Sequence, residues 1–214
     1  MIVAIDGPAG SGKGTIAKNI GERLNLLNID TGAMYRAVSL KVIRNNIDLN
    51  DTSAIIKTCK SCNIKLLNNG VIYLDDEDVT KKIRSIEVTK AVTVVSKIKE
   101  VREIMKEKQR EFAKHSSIVM EGRDITTEVF PNADYKFYLD ASVEERAERR
   151  YKENIEKGIE CTYSDTLQLI KERDYNDINR KEGALKITDD AIYIDSTNLS
   201  IDEVTNKIIN IVKK

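Results

Sequence analysis

The chain has no net charge: 35 Lys and Arg balance 35 Asp and Glu over 214 residues. A broad surface for nucleic acid or an anionic membrane would need a basic excess, so any anionic ligand must be met by locally clustered arginines. The three cysteines are too few for a disulfide scaffold, and no apolar run reaches the length that crosses a bilayer. The opening Met1-Ile2-Val3-Ala4-Ile5 lacks a basic start and meets Asp6 too soon for a secretory signal. A cytoplasmic location, with no membrane or nucleic-acid partner, is therefore expected. No internal repeat or low-complexity linker divides the chain. What is present, 41% apolar and 33% charged residues, fits a soluble globular enzyme and excludes a disordered or fibrous chain. The length suits one α/β domain, or a core carrying one inserted piece.

Four of the ten glycines (Gly7, Gly10, Gly12, Gly14) fall within eight residues. Before them, Ile2 to Ile5 is a continuous apolar run, as in a parallel strand buried on both faces. After them, Ile16, Ile20 and Leu24 form the apolar stripe of a helix. Strand, glycine loop and helix open a βαβ unit. Further strand-like runs are Leu26–Asp30, Ser117–Glu121, Tyr135–Leu139 and Ala191–Asp195. Val143, Ala147, Tyr151 and Ile155 give a helical face behind a capping box of Ser142 and Glu145. Ser200 and Glu203 repeat that device before Val204, Ile208 and Ile211. The alternation predicts a mostly parallel sheet covered on both sides. One stretch breaks it: Ile64–Leu74 reads as a β-hairpin about Asn69-Gly70, placing a self-folded insertion at roughly 60–95.

Gly7-Pro8-Ala9-Gly10-Ser11-Gly12-Lys13-Gly14-Thr15 fits G-x-x-x-x-G-K, with Gly14 in the usual Ser/Thr place and Thr15 supplying the hydroxyl one position later. Such a loop needs glycines because backbone N–H groups must wrap an anion, and the following helix adds its positive end. Lys13 then sets a full charge on the β/γ-phosphates. The chain holds no N-K-x-D guanine signature, no D-x-x-G at a plausible switch position, and too little length for a motor; a kinase of small substrates is favoured over a nucleotide-dependent switch. Cys59-Lys60-Ser61-Cys62 lacks a second pair at zinc spacing, and the one histidine, His115, is distant. The Lys- and Glu-rich run from Lys97 to Lys114 carries Ile98, Val101, Met105 and Phe112 at helical spacing and reads as a solvated helix.

Gly12-Lys13-Gly14-Thr15 resembles the loop of nucleoside monophosphate kinases. Four further segments resemble bacterial cytidylate kinases: Asp30 to Arg36, Gly122-Arg123-Asp124-Ile125 with Val129-Phe130-Pro131, Glu145 to Arg150, and Arg173 to Arg180. They occur in the family's order between residue 7 and about 197. Two departures stand out: Thr126 where the family usually has Gly, and Gly183-Ala184-Leu185 where it commonly has Pro-Leu. Neither touches a charge on which this reading relies.

The resemblance implies a three-layer P-loop fold with a five-stranded, mostly parallel sheet. Its core would span 1–59 and 96–214, with a helical lid near 146–176 and a nucleoside-monophosphate-binding insert of hairpin and helix at 60–95. It implies ATP as donor, CMP or dCMP as acceptor, and Mg²⁺; a monomer is the expected state. Residues 7–15 would hold ATP, with Arg146 and Arg150 from the lid. Lys13, Arg123, Arg173 and Arg180 would be catalytic, since guanidinium groups neutralise the charge that phosphoryl transfer brings together. The acceptor would meet Arg36, Arg123 and Arg180 at its phosphate, Tyr35 and Asp177 at its ribose, and Thr93, Arg102 and Asp124 at its base, with Thr31 nearby. A carboxylate accepts from cytosine's amino group but not from uracil's carbonyl, which makes Asp124 the candidate for base choice. Its alternatives are a pair with Arg123 or a helix cap. Arg146, Arg149 and Arg150 could instead pair within their helix with Glu145, Glu148 and Glu153, and Asp177 could be an exposed helical carboxylate. Thr15 and Asp6 would hold Mg²⁺ largely through waters, unless Asp6 pairs with Lys13.

Overall fold

A computed structural model describes residues 1–67, 70–156 and 158–213. The apolar run at the start forms β1 (Ile2–Asp6), and α1 (Lys13–Leu24) follows the glycine loop. Next come β2 (Leu27–Asp30), α2 (Thr31–Arg44) and α3 (Thr52–Ser61). Asp30 and Asp51 start the two helices by accepting from the N–H groups of Ala33 and Ala54. The interruption in the alternation is a small antiparallel sheet of β3 (Ile64–Leu66), β4 (Ile72–Leu74) and β5 (Glu77–Asp78). The hairpin register pairs Ile64 with Leu74 and Leu66 with Ile72. Asn69, half of the expected turn, lies outside the described residues. A 3₁₀ turn at Lys82–Arg84 leads to α4 (Ile86–Val95) and α5 (Lys99–His115). The chain then forms β6 (Ile118–Gly122), one π-helical turn (Ile125–Val129), β7 (Tyr135–Asp140), α6 (Val143–Glu156), α7 (Tyr163–Asn179), β8 (Ile192–Asp195) and α8 (Ile201–Val212).

The main sheet has five strands in the order β2-β6-β1-β7-β8, every neighbouring pair parallel. Side chains alternate across it. Val3, Ile5, Val119 and Phe137 pack with Ile16, Ile20, Val204 and Ile208 of α1 and α8. Ala4, Ile118 and Met120 pack on the other face with Met34, Val38, Val101 and Met105 of α2 and α5. Fully burying one such side chain contributes about 2 kcal/mol. The small sheet has no core of its own, because Ile72, Leu74, Val79, Ile83 and Val88 join the α2/α5 cluster. Cys59 and Cys62 lie in the same cluster, where burial pushes their thiols up to about 11 and about 12.

The Ser200–Glu203 capping box forms in both directions. The box expected at Ser142 is only half made. Glu145 N–H donates to Ser142 Oγ at 3.2 Å, but the Glu145 carboxylate accepts from Arg149 and Ser142 N–H donates to Thr197.

Parallel order has one consequence for chemistry. Asp6, Asp30, Asp140 and Asp195 each end a strand, and Glu121 is the penultimate residue of β6. Five carboxylates therefore line the C-terminal edge of the sheet. The chain leaves β1 for strands on one side before reaching those on the other, so this edge is the ligand-binding crevice of an open α/β sheet.

Candidate active site

The glycine loop leaves β1 at the centre of that edge. Gly10 has φ +79°, and a Cβ there would meet the Arg146 carbonyl oxygen at 2.9 Å, so the backbone can lie against α6 only without a side chain. Lys13 is buried at the start of α1 and donates from Nζ to Pro8 O at 2.7 Å and to Ser11 Oγ at 3.2 Å. Burial, then the neighbouring Arg123 charge, brings its ammonium down to about 7. Gly14 and Thr15 face solvent at the loop's mouth.

Asp6 does not pair with Lys13. Fully buried, it accepts from the N–H of Ile125 (3.0 Å) and from the N–H and hydroxyl of Thr126 (both 2.7 Å). Burial raises its carboxyl above the ordinary range despite these donors. A carboxylate that does stand at the start of α1 is Glu121, with Oε1 at 3.6 Å from where a Gly14 Cβ would lie. Desolvation and adjacent Asp30, its register partner on β2, push Glu121 up to about 7.

Thr31 donates its hydroxyl to Glu121 O at 2.8 Å. Arg36 donates to Thr89 Oγ1 at 2.8 Å and Ile83 O at 3.4 Å, fastening α2 to the segment before and within α4. Arg84 reaches from the 3₁₀ turn to Asp30 at 3.0 Å.

Asp177 is buried, not exposed on its helix. Arg123 Nε donates to it at 2.7 Å, Arg180 is ion-paired with it, and Arg173 stands 4.0 Å away. This cluster draws the end of β6 and the C-terminal part of α7 together. Desolvation within the cleft, followed by the charges of Arg123, Arg150 and Arg36, brings the half-exposed Arg173 down to about 10. Asp124 neither pairs with Arg123 nor caps the π turn with its side chain. Its Oδ2 is ion-paired with buried Arg102, whose guanidinium also lies 5.9 Å from the centre of the Tyr35 ring. Among the described residues no donor reaches Asp124 Oδ1. Thr93 does not join this group: it is exposed on α4, and its hydroxyl donates to Lys90 O at 2.7 Å. Next to the pair, a cavity of about 470 Å³ opens between Lys97 and Arg102 on one side and Asn176, Asn179 and Arg180 on the other.

The three arginines of α6 diverge. Arg146 is buried and donates to Ala141 O at 2.9 Å, Ala9 O at 3.0 Å and Asp174 at 2.5 Å. Asp174 in turn accepts from Ala9 N–H at 3.3 Å, so the pair holds the glycine loop between α6 and α7. Arg149 binds Glu145 and Ser196, while Arg150 pairs with Glu153 at 2.9 Å. The intrahelical alternative thus applies to Arg149 and Arg150 but not to Arg146.

This arrangement, an anion-wrapping loop facing a cluster of guanidinium groups with a carboxylate pair beyond it, agrees with what similar chains are. A family profile described as cytidylate kinase matches residues 3–214. The cytidylate kinase of Caldicellulosiruptor bescii is 48% identical over 215 residues, spanning 99% of this chain and 95% of its own. That of Alkaliphilus oremlandii is 50% identical over 211 residues, 99% of this chain and 97% of its own. The chain belongs to the cytidylate kinase family. Among solved structures, shikimate kinase from Bacteroides thetaiotaomicron superposes with a TM-score of 0.52 at 12% identity, covering 100% of this chain and 99% of that one. Shikimate kinase from Acinetobacter baumannii in complex with shikimate gives 0.50 at 14%, covering 99% and 92%. At such identities the likeness is one of fold, that of the P-loop kinases.

Sequence reasoning missed Glu121, Asp30 and Asp174. The first two are strand-end carboxylates, a class a strand prediction could have collected. Both departures from the family pattern do touch charges: Thr126 donates to Asp6, and Gly183 lies against Arg102 and Asp124. Among the described residues no helix is long and apolar enough to cross a membrane.

Proposed function

We infer that this chain transfers the γ-phosphoryl group of ATP to CMP or dCMP, forming ADP and CDP or dCDP, by direct in-line attack without a covalent enzyme intermediate. Family membership supports the reaction. The residue roles rest on one observation, that Lys13 of the glycine loop lies close enough to Arg123 and Arg173 to feel their charge, while Arg180 is held to the same Asp177 as those two. Residues 7–15 wrap the triphosphate, and Lys13, neutralised in part by its burial, regains its full charge against it. Arg146 supports the loop from below, and Arg150 exchanges Glu153 for phosphate when a lid near 146–176 closes and excludes water. Arg36, Arg123 and Arg180 take the acceptor phosphate. With Arg173 they stabilise the charge on the group in flight, and Thr31 fixes the strand end beside them. Asp177 and Tyr35 meet the ribose. Asp124 offers its open Oδ1 to cytosine's amino group while Arg102 holds the other oxygen; Thr93 completes the base edge after turning from Lys90. The insert at 60–95 carries the acceptor towards the core of 1–59 and 96–214. The chain works in the cytoplasm as a monomer, without nucleic-acid or membrane partners.

The residues fit Mg²⁺. Thr15 is exposed at the loop's mouth, and the Glu121 carboxylate lies beside Gly14. Asp6, with both oxygens already engaged by residues 125–126, serves only through water. Among the described residues no group of three or more His, Cys, Asp or Glu is poised around a metal. When bound, Mg²⁺ would offset the negative charge that phosphoryl transfer brings together.

Single-turnover reactions with limiting ATP test the reading. ADP should form rapidly when CMP is present and at least a hundredfold more slowly without it, the difference between positioned transfer and slow hydrolysis. Equal rates with and without CMP would mark a hydrolytic switch instead.

A further inference from the structure

The segment after α7 runs from Arg180 to Leu185 and is fastened along its length. Arg180 is ion-paired with Asp177, Glu182 stands 3.4 Å from Lys99 of α5, and Leu185 N–H donates to Asp177 O at 2.8 Å while its side chain is buried. Within it Gly183 has φ +61°, the left-handed region that side chains disfavour. A Cβ on Gly183 would overlap Arg102 Nη2 and Asp124 Oδ2 and stand 2.8 Å from Arg102 Cζ. The bare backbone of this residue is therefore packed directly on the Arg102–Asp124 pair. Gly183 also lines a cavity of about 310 Å³ with Thr127, Ala184 and Lys186, while Arg102 lines the separate cavity of about 470 Å³. Arg180 and Lys181 line both. The segment is thus a wall bordering two spaces open to water, with the ion pair against Gly183.

We propose that Gly183 is a specificity-positioning residue: the missing side chain lets the wall close on the Arg102–Asp124 pair and exclude water, and discrimination between cytosine and uracil depends on that closure. The proposal rests on the reading of Asp124 as the base-selecting carboxylate. A dry carboxylate facing uracil's carbonyl is left without a donor, and water admitted beside it would supply one and erase the penalty. Because the wall is tethered at Arg180, Glu182 and Leu185, a side chain at 183 cannot be absorbed by lifting the loop alone; it must displace the guanidinium or the carboxylate.

The test measures kcat/KM for CMP and for UMP, and KM for ATP, in the full chain carrying Gly183→Ala, Gly183→Asn, Asp124→Asn, and each glycine substitution combined with Asp124→Asn. Asn tolerates positive φ, so it removes most backbone strain yet keeps the offending Cβ. Both single glycine variants should lower the CMP/UMP ratio about tenfold, the scale of losing one base-edge discrimination, with KM for ATP held. In the Asp124→Asn background neither should lower it further, since both act through one carboxylate. A wild-type ratio in either glycine variant overturns the proposal, as does recovery with Asn or an equal loss in the Asp124→Asn background. If Asp124→Asn itself leaves the ratio unchanged, the base-selection reading falls and this proposal with it. If Asp124→Asn lowers the ratio while the glycine variants do not, the proposal alone falls.

Discussion

The Thr126 hydroxyl donates to Asp6 Oδ2 at 2.7 Å, joining the π turn after β6 to the last residue of the central strand across 120 positions of sequence. Asp6 is fully buried and takes three hydrogen bonds in all, each from residue 125 or 126. Replacing Thr126 by Val keeps the volume and removes one donor from a buried carboxylate, which costs about 1–3 kcal/mol. Thr126→Ser should restore most of it. Denaturant unfolding of the two variants reads the difference directly; equal stabilities would mean the hydroxyl contributes nothing.

The Arg146–Asp174 pair makes a second prediction. Arg146 keeps its carbonyl partners when Asp174 becomes Ala, but of its two carboxylates only the more distant Asp140, at 3.9 Å, remains, so the loss should approach but not exceed the roughly 3–5 kcal/mol of a broken buried pair. Because Asp174 also accepts from Ala9 N–H, ATP should bind more weakly in the same variant. A melting temperature near that of the unaltered chain would show that water repairs the gap.

Lys13 is expected to act on transfer rather than on the acceptor. Lys13→Ala should slow phosphoryl transfer a hundredfold or more, the scale of removing one preorganised charge from a transition state, and leave CMP affinity nearly unchanged. Comparable losses in both quantities would put the lysine in the wrong place.

The pH dependence of ATP binding follows from the same side chain. A free lysine stays charged to about pH 10, whereas burial and Arg123 bring Lys13 down to about 7. The triphosphate anion favours the charged form, so binding near neutral pH takes up a proton. Glu121, raised to about 7, is pushed the same way by the added negative charge. Without divalent cation, ATP affinity should fall as pH rises from 6 to 8, by up to about tenfold per unit for each proton taken up. Calorimetry in two buffers of different ionisation enthalpy should find net uptake that shrinks in Lys13→Ala; net release would reverse the assignment.

Most of the fold could be read because its signals are local. The apolar run before Gly7, the stripe Ile16–Ile20–Leu24 and the hairpin strands around residue 70 all depend on neighbours within a few positions. The hairpin's third strand, Glu77–Asp78, is two residues long and carries no apolar pattern. What stayed hidden depends on register between distant strands. Nothing near Glu121 in sequence says that Asp30 lies beside it, because that follows from pairing β2 with β6. The Ser142 box read correctly as a string, but Arg149 and Thr197 outcompete its return arm. Arg146 could not be told from Arg149 or Arg150 by spacing alone; burial under the glycine loop sets it apart. Thr126 and Gly183 looked harmless because neither is charged, yet each presses on a buried carboxylate from far along the chain.

A panel of nucleoside monophosphates in a coupled assay of ADP release tests the central claim most directly. CMP and dCMP should be phosphorylated at least tenfold more efficiently than UMP or AMP, the least that one mismatched hydrogen-bonding edge imposes. Equal use of all four would contradict it.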